Sequence, residues 1–164
     1  MAVGLAAGLC AAPAEAHHAF VSDYDCKSPI RITGVISKIE WVNPHTFVHV
    51  TDARPGKPDW IFEGAPPGAL ERMGINHDTM KEGDTVTLNG HQAKSHLCPK
   101  SLESGKAVCT AIGGAIVLAD GKISNLVEDV RVKNNSAFDR PGMTTDQLLA
   151  QLGDFCGPKV PNGN

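Results

Sequence analysis

Aromatic residues are scarce in this 164-residue chain, with five Phe, two Trp and one Tyr making up 5% of it. Set beside 17 Gly and 11 Pro, that scarcity describes a turn-rich globular protein rather than a helical bundle. No run of Lys or Arg is long enough to track a phosphate backbone, and the formal charge is -3, which excludes nucleic acid as a partner. Beyond residue 16 no stretch approaches the roughly 20 apolar residues that a membrane span needs, so the expected mature chain is soluble and not membrane-spanning. The sequence also lacks G-x-S-x-G, a P-loop and H-E-x-x-H, and neither Tyr24 nor its scattered serines stand in a nucleophile setting. Nucleophilic catalysis is therefore disfavoured, and a binding protein is expected ahead of an enzyme, a copper oxidase or oxygenase being the third reading. At this length one domain is expected.

What is present begins with a processing signal. "MAVGLAAGLCAAPAEA" carries an apolar stretch from Ala2 to Ala12, then Pro13, then Ala14-Glu15-Ala16 as an A-x-A cleavage site. Residues 1–16 read as a signal peptide cleaved after Ala16, which places the mature protein in the periplasm or outside the cell. Cleavage removes Cys10 and leaves Cys26, Cys98, Cys109 and Cys156, an even number in an exported chain. None of their spacings is C-x-x-C, so disulfides are favoured over a cysteine metal site. Of three possible connectivities the favoured one pairs Cys98 with Cys109 across "CPKSLESGKAVC" and Cys26 with Cys156 across the two ends of the chain.

The hydrophobic pattern is mainly that of strands. "IRITGVISKIEWV" (Ile30 to Val42) is rich in β-branched residues and reads as a long first strand with Gly34 as a bulge or bend. The turn "NPH" leads to a second strand, Thr46 to Asp52, and "DWIFEGA" supplies a third, Asp59 to Ala65. "PPGALERMG" (Pro66 to Gly74) is a short helix with proline in its first turn and glycine at its end. A fourth strand is expected within Lys81 to Lys94. A fifth is expected within Lys106 to Gly121, broken at Gly113-Gly114. Three strands, a helix and two strands is the order of a small OB-like barrel, so the fold expected is all-β, a five-stranded OB-like barrel over residues 17–133. Residues 134–164 form a C-terminal extension, with a helix at 144–155 that presents Leu148, Leu149 and Leu152 on one face.

The chemistry collects around histidine. If cleavage falls after Ala16, the α-amino nitrogen and the Nδ1 of His17 can close a chelate ring on one metal ion, with His18 beside them. An α-amino group of pKa near 8 and an imidazole near 6.5 both yield their protons to a Lewis acid at neutral pH. Such nitrogen-rich sites favour copper(II) over other first-row divalent ions, with zinc the second choice. His45 in "NPH" is the expected third ligand, because Pro44 fixes the turn that presents it. Glu63 in "FEG" stands on the third strand beside His49 or one place off, as a fourth ligand or the group that orients a histidine. His49 lies about 13 Å along the strand from His45, so it is a core residue or one supporting a ligand without touching the ion. His77, His91 and His96 share no spacing and read as surface residues. Plainer readings exist for each: a mobile N-terminal tail, a His45 that bonds its own turn, an exposed Glu63, and tryptophans Trp41 and Trp60 that belong to the core.

Four stretches carry a family resemblance: "AHHAF" (Ala16 to Phe20), "IEWVNPH" (Ile39 to His45), "WIFEG" (Trp60 to Gly64) and "HDTMKEGDTVTLNG" (His77 to Gly90). With them, roughly residues 16–122 resemble a group of small exported bacterial proteins classed only as a domain of unknown function. Members of that group start with Ala-His-His after the signal and carry Asn-Pro-His and Glu-Gly. "LADG" (Leu118 to Gly121) stands where they usually have "LPDG". The Cys98 to Cys109 segment looks like an insertion relative to that group, and the chain after about Asn134 like an extension. The resemblance implies export and a compact β domain and brings no activity. The function expected from the residues is that of a periplasmic metal-binding protein, for copper first, using His17, His18 and His45 with Glu63. The alternative is a metal-free OB-like module that binds a ligand or a periplasmic protein without catalysis.

Overall fold

The computed structural model describes residues 22–127. They form six strands and one helix: β1 (Tyr24–Trp41), β2 (Thr46–Asp52), β3 (Asp59–Gly64), α1 (Pro67–Arg72), β4 (Thr85–Ala93), β5 (Val108–Val117) and β6 (Ile123–Asn125). The expected signal peptide, the C-terminal extension with its helix, and His17, His18 and Cys156 lie outside the described residues. No helix among the described residues is long and apolar enough to cross a membrane.

Strand alternation builds the core. On β2, Thr46, Val48, Val50 and Asp52 are buried and the residues between them are half-exposed. On β3, Trp60, Phe62 and Gly64 point inward, leaving Ile61 and Glu63 on the outer side. Ile36, Val48, Val50, Phe62, Leu88 and Ile116 are all 1% exposed or less. Each such side chain contributes about 1.5–3 kcal/mol by leaving water. That outweighs anything a six-residue helix offers by propensity.

The strands form one sheet in the order β3-β2-β1-β4-β5-β6, and an added β3–β5 pairing joins the first five into a closed circuit. That pairing is parallel, from Asp59 opposite Val108 to Glu63 opposite Ile112. Every other pairing is antiparallel. The helix α1 buries Ala69 and Leu70 against the core. The chain leaves it through Gly74, whose φ of 80° suits a residue without Cβ. There Gly74 N–H donates to Glu71 O and Ile75 N–H donates to Leu70 O, satisfying carbonyls the helix leaves open.

The elements expected within residues 22–127 are present, with differences. β1 starts at Tyr24, six residues before the expected Ile30, because Tyr24 pairs with Ala93 of β4 beyond an irregularity that ends at Pro29. Gly34 is not the bulge. It pairs regularly with Asp52 on one side and Val86 on the other, and the shift against β2 falls between Ile36 and Lys38. Gly113-Gly114 does not end β5, which runs through to Val117, and the irregularity appears instead as a change of register against β4 between Leu88 and Gly90. The sheet has six strands where five were expected, since Ile123–Asn125 folds back on the end of β5. Cys98 and Cys109 are disulfide-bonded as expected. Cys26 is also half of a disulfide, and its expected partner lies outside the described residues.

Candidate functional site

Residues facing each other across paired strands share a face of the sheet. Reading across the register, Glu40 lies opposite Phe47, Phe47 opposite Glu63, Glu63 opposite Ile112, and Ile112 opposite His91. One row on the outer face thus runs from β1 through β2, β3 and β5 to β4. A small apolar cluster of Tyr24, Ile112 and Val127, with Ala93 against it, covers one end of this row. The row brings together titratable side chains that are far apart in the sequence.

Glu63 is the hub. His45 Nδ1 lies 2.6 Å from Glu63 Oε1, with the Glu63 side chain 17% exposed and His45 35%. The Tyr24 hydroxyl donates to Glu63 Oε2 at 2.5 Å, a contact between residues 39 positions apart. Burial raises the Tyr24 hydroxyl above the usual phenol range, and the hydrogen bond to Glu63 and its charge raise it further. Tyr24 therefore keeps its proton and is the donor, and Glu63 accepts. His45 immediately precedes β2 and follows a cis Asn43–Pro44 peptide. The turn, the end of β3 and the start of β1 thus converge on one carboxylate.

A second pair flanks Phe47. His49 Nε2 lies 2.7 Å from Glu40 Oε1, and Lys38 Nζ contacts the same oxygen at 3.0 Å. The Lys38 hydrogen bond, then that of His49, hold the Glu40 carboxyl below its usual range. His49 is thus held by β1 rather than by Glu63.

The sequence expectations can now be placed. His45 and Glu63 are in contact. Glu63 is neither beside His49 nor one place off: it faces Phe47, while His49 faces Ile61. His49 and Glu63 are two positions apart in register, because β3 begins pairing at Trp60 opposite Val50. His91, read as a surface residue, is buried at 4% because its place opposite Ile112 puts it under the outer cluster. His77 is exposed and packs its ring on Trp41 at 4.6 Å, and His96 bonds Asp25 at 2.9 Å. Trp60 belongs to the core, and a partly buried Trp41 packs against it. Among the described residues no three His, Cys, Asp or Glu side chains converge as a metal-holding group; His17 and His18 are outside that set. Tyr24 is the residue sequence reasoning missed. Its only sequence signal was its position, a lone tyrosine seven residues after His17.

Compared with known proteins, residues 6–98 match a family described as "Family of unknown function (DUF6152)". The matched stretch contains His17, His18, Tyr24, His45 and Glu63 and ends at Cys98. No curated protein matches the chain.

Proposed function

Because the chain belongs to DUF6152, a family of unknown function, its activity has to be argued from its own residues, and we propose that it is an exported, periplasmic metal-binding protein. The ion is copper, with zinc the second choice. His17 supplies its α-amino nitrogen and imidazole, His18 lies beside it, and His45 is the ligand from the folded domain. Glu63 orients His45 rather than binding the ion, since both its oxygens already accept hydrogen bonds.

One observation carries this reading. Tyr24, near the start of the described chain, is itself hydrogen-bonded to the carboxylate that holds His45. His18 stands six positions before Tyr24, a reach of up to about 20 Å at 3.3–3.6 Å per residue. The arm that carries the His-His pair therefore begins at the site and needs only to fold back over it. The circuit of strands, with β3 parallel to β5 and a helix between β3 and β4, supports an OB-like barrel as the scaffold.

Titration of the mature chain beginning at His17 with Cu(II) tests the proposal. About one ion should bind tightly. A chain with one added residue before His17, and the His45→Ala variant, should each bind far more weakly. Equal affinity in all three would remove the chelate. The second reading, a metal-free OB-like module for a ligand or protein partner, is favoured by half-buried Phe47, His49 and Ile61 on the outer side of β2 and β3, the strands such domains use for binding. It predicts that protein isolated from the periplasm carries no stoichiometric metal.

A further inference from the structure

We infer that Tyr24, acting through Glu63, is a positioning residue that holds His45 in one tautomer, with its proton on Nδ1 and its lone pair on Nε2. A neutral imidazole has one donor and one acceptor nitrogen, and which is which follows from the partner of each. Glu63 Oε1 is 2.6 Å from His45 Nδ1, and a carboxylate only accepts, so Nδ1 carries the proton. Glu63 Oε2 is occupied by the Tyr24 hydroxyl at 2.5 Å. That hydroxyl belongs to a residue 7% exposed, packed with Ile112 and Val127. With its ring held in that packing, the hydroxyl keeps its proton directed at Glu63. Tyr24 thereby fixes which way the Glu63 side chain faces, and Glu63 fixes which nitrogen of His45 bears the lone pair.

The tautomer stands on the geometry alone. Its consequence for metal rests on the reading above: Nε2 becomes the ligating atom, and the carboxylate behind it supplies negative charge to a site whose other ligands are neutral nitrogens.

The arrangement makes a specific forecast for Glu63→Gln. An amide has one acceptor and one donor end. In that variant the buried Tyr24 hydroxyl takes the amide's carbonyl oxygen, because accepting from the amide nitrogen instead would leave its own proton unpaired, at a cost of about 1–3 kcal/mol. The amide N–H then faces His45 Nδ1, which must accept, and the imidazole proton moves to Nε2. Adding Tyr24→Phe removes that constraint: the amide can then offer either its oxygen or its N–H to His45 Nδ1, and neither tautomer is enforced.

The experiment is nitrogen-15 NMR of the imidazoles in the metal-free full chain at about pH 8.5, where an ordinary imidazole is neutral, with the His45 signals assigned by loss in His45→Ala. The parent protein should show protonated Nδ1, Glu63→Gln protonated Nε2, and the Tyr24→Phe/Glu63→Gln double variant a larger share of protonated Nδ1 than Glu63→Gln. Protonated Nε2 in the parent, or no change in Glu63→Gln, would overturn the inference; the parent result decides even if a variant does not fold. Cu(II) titration of the same samples separates the two proposals. Affinity should drop about 10- to 100-fold in Glu63→Gln and recover in part in the double variant. A tautomer that moves as stated while copper affinity stays constant would uphold the positioning role and remove His45 from the metal site.

Discussion

Replacing Gly90 by alanine puts one methyl group where the closed circuit of strands has no room for it. Gly90 pairs with Ile30 of β1 on one side and Gly113 of β5 on the other. A Cβ there would lie 2.1 Å from Ile112 O, about 0.9 Å inside the 3.0 Å limit that real contacts respect, and 3.4 Å from Phe62 Cε1. The obstructing atom is backbone, so β4 and β5 must part rather than a side chain rotate. Overpacking of this kind costs about 1–3 kcal/mol. One or two weakened ladder hydrogen bonds add about 1 kcal/mol each, for a total of roughly 2–5 kcal/mol. At about 3 °C per kcal/mol for a chain of this size, the melting temperature should fall by roughly 6–15 °C, read by circular dichroism with the disulfides intact. Gly68→Ala is the control: it lies in α1 with nothing within 4 Å of a Cβ, and should leave stability unchanged or raise it by up to about 1 kcal/mol. The reasoning fails if Gly90→Ala melts with the parent, since the close approach of β4 to β5 would then not exist in solution.

Two further outcomes follow from other parts of the fold. Replacing both Cys98 and Cys109 by serine opens a loop whose ends are 11 positions apart, and should lower unfolding stability in urea by about 3 kcal/mol, with the proposed copper binding unaffected because the loop contributes no proposed ligand. Asp52 is buried with its carboxylate held by Arg54, through Nε and the backbone N–H to Oδ1 at 2.9 Å each and Nη2 to Oδ2 at 2.6 Å. The Arg54 side-chain hydrogen bonds hold the Asp52 carboxyl below its usual range despite burial. A carboxyl depressed in the fold stabilises above its unfolded pKa, and that stability is lost as pH falls through the folded value. Arg54→Ala should therefore be less stable than the parent at pH 7, and the difference should shrink as urea melts are repeated into the acid range.

Much of the architecture was legible because short-range physics writes it. The alternation in "TFVHVTD" and "DWIFEG" set the faces of β2 and β3 to within a residue of their ends, since one side of each strand had to be buried. Pro67 and Gly74 bracketed α1 because proline is preorganised for a helix's first turn and glycine takes the left-handed stop without a Cβ clash. Cys98 and Cys109 were close enough along the chain for pairing to be the natural reading. Less was legible where partners are distant. The sixth strand is three residues long, too short for alternation to declare it. The burial of His91 depends on Ile112 opposite it, and polar neighbours in the sequence pointed the other way.

The candidate site divides in the same manner. His45 stood out because a proline precedes it, and Glu63 because it lies on a strand beside the one that His45 introduces. Their meeting required the β2–β3 register, in which a shift of one residue would have turned Glu63 to the core face. Tyr24 could not be matched to Glu63 from the sequence at all. It reaches Glu63 because β1 runs six residues further than its β-branched stretch, along β4, and because β4 lies beside β5 and β5 beside β3. The sequence by itself determined where β2 to β5 and most of β1 run and which residues carry imidazole and carboxylate groups, the strands being consequences of local propensity and period. The parallel β3–β5 pairing and the long first strand decided that a buried tyrosine, a glutamate and a histidine from three separate segments share one pair of carboxylate oxygens. Such contacts depend on register and closure between strands far apart in the chain, and no local pattern encodes them.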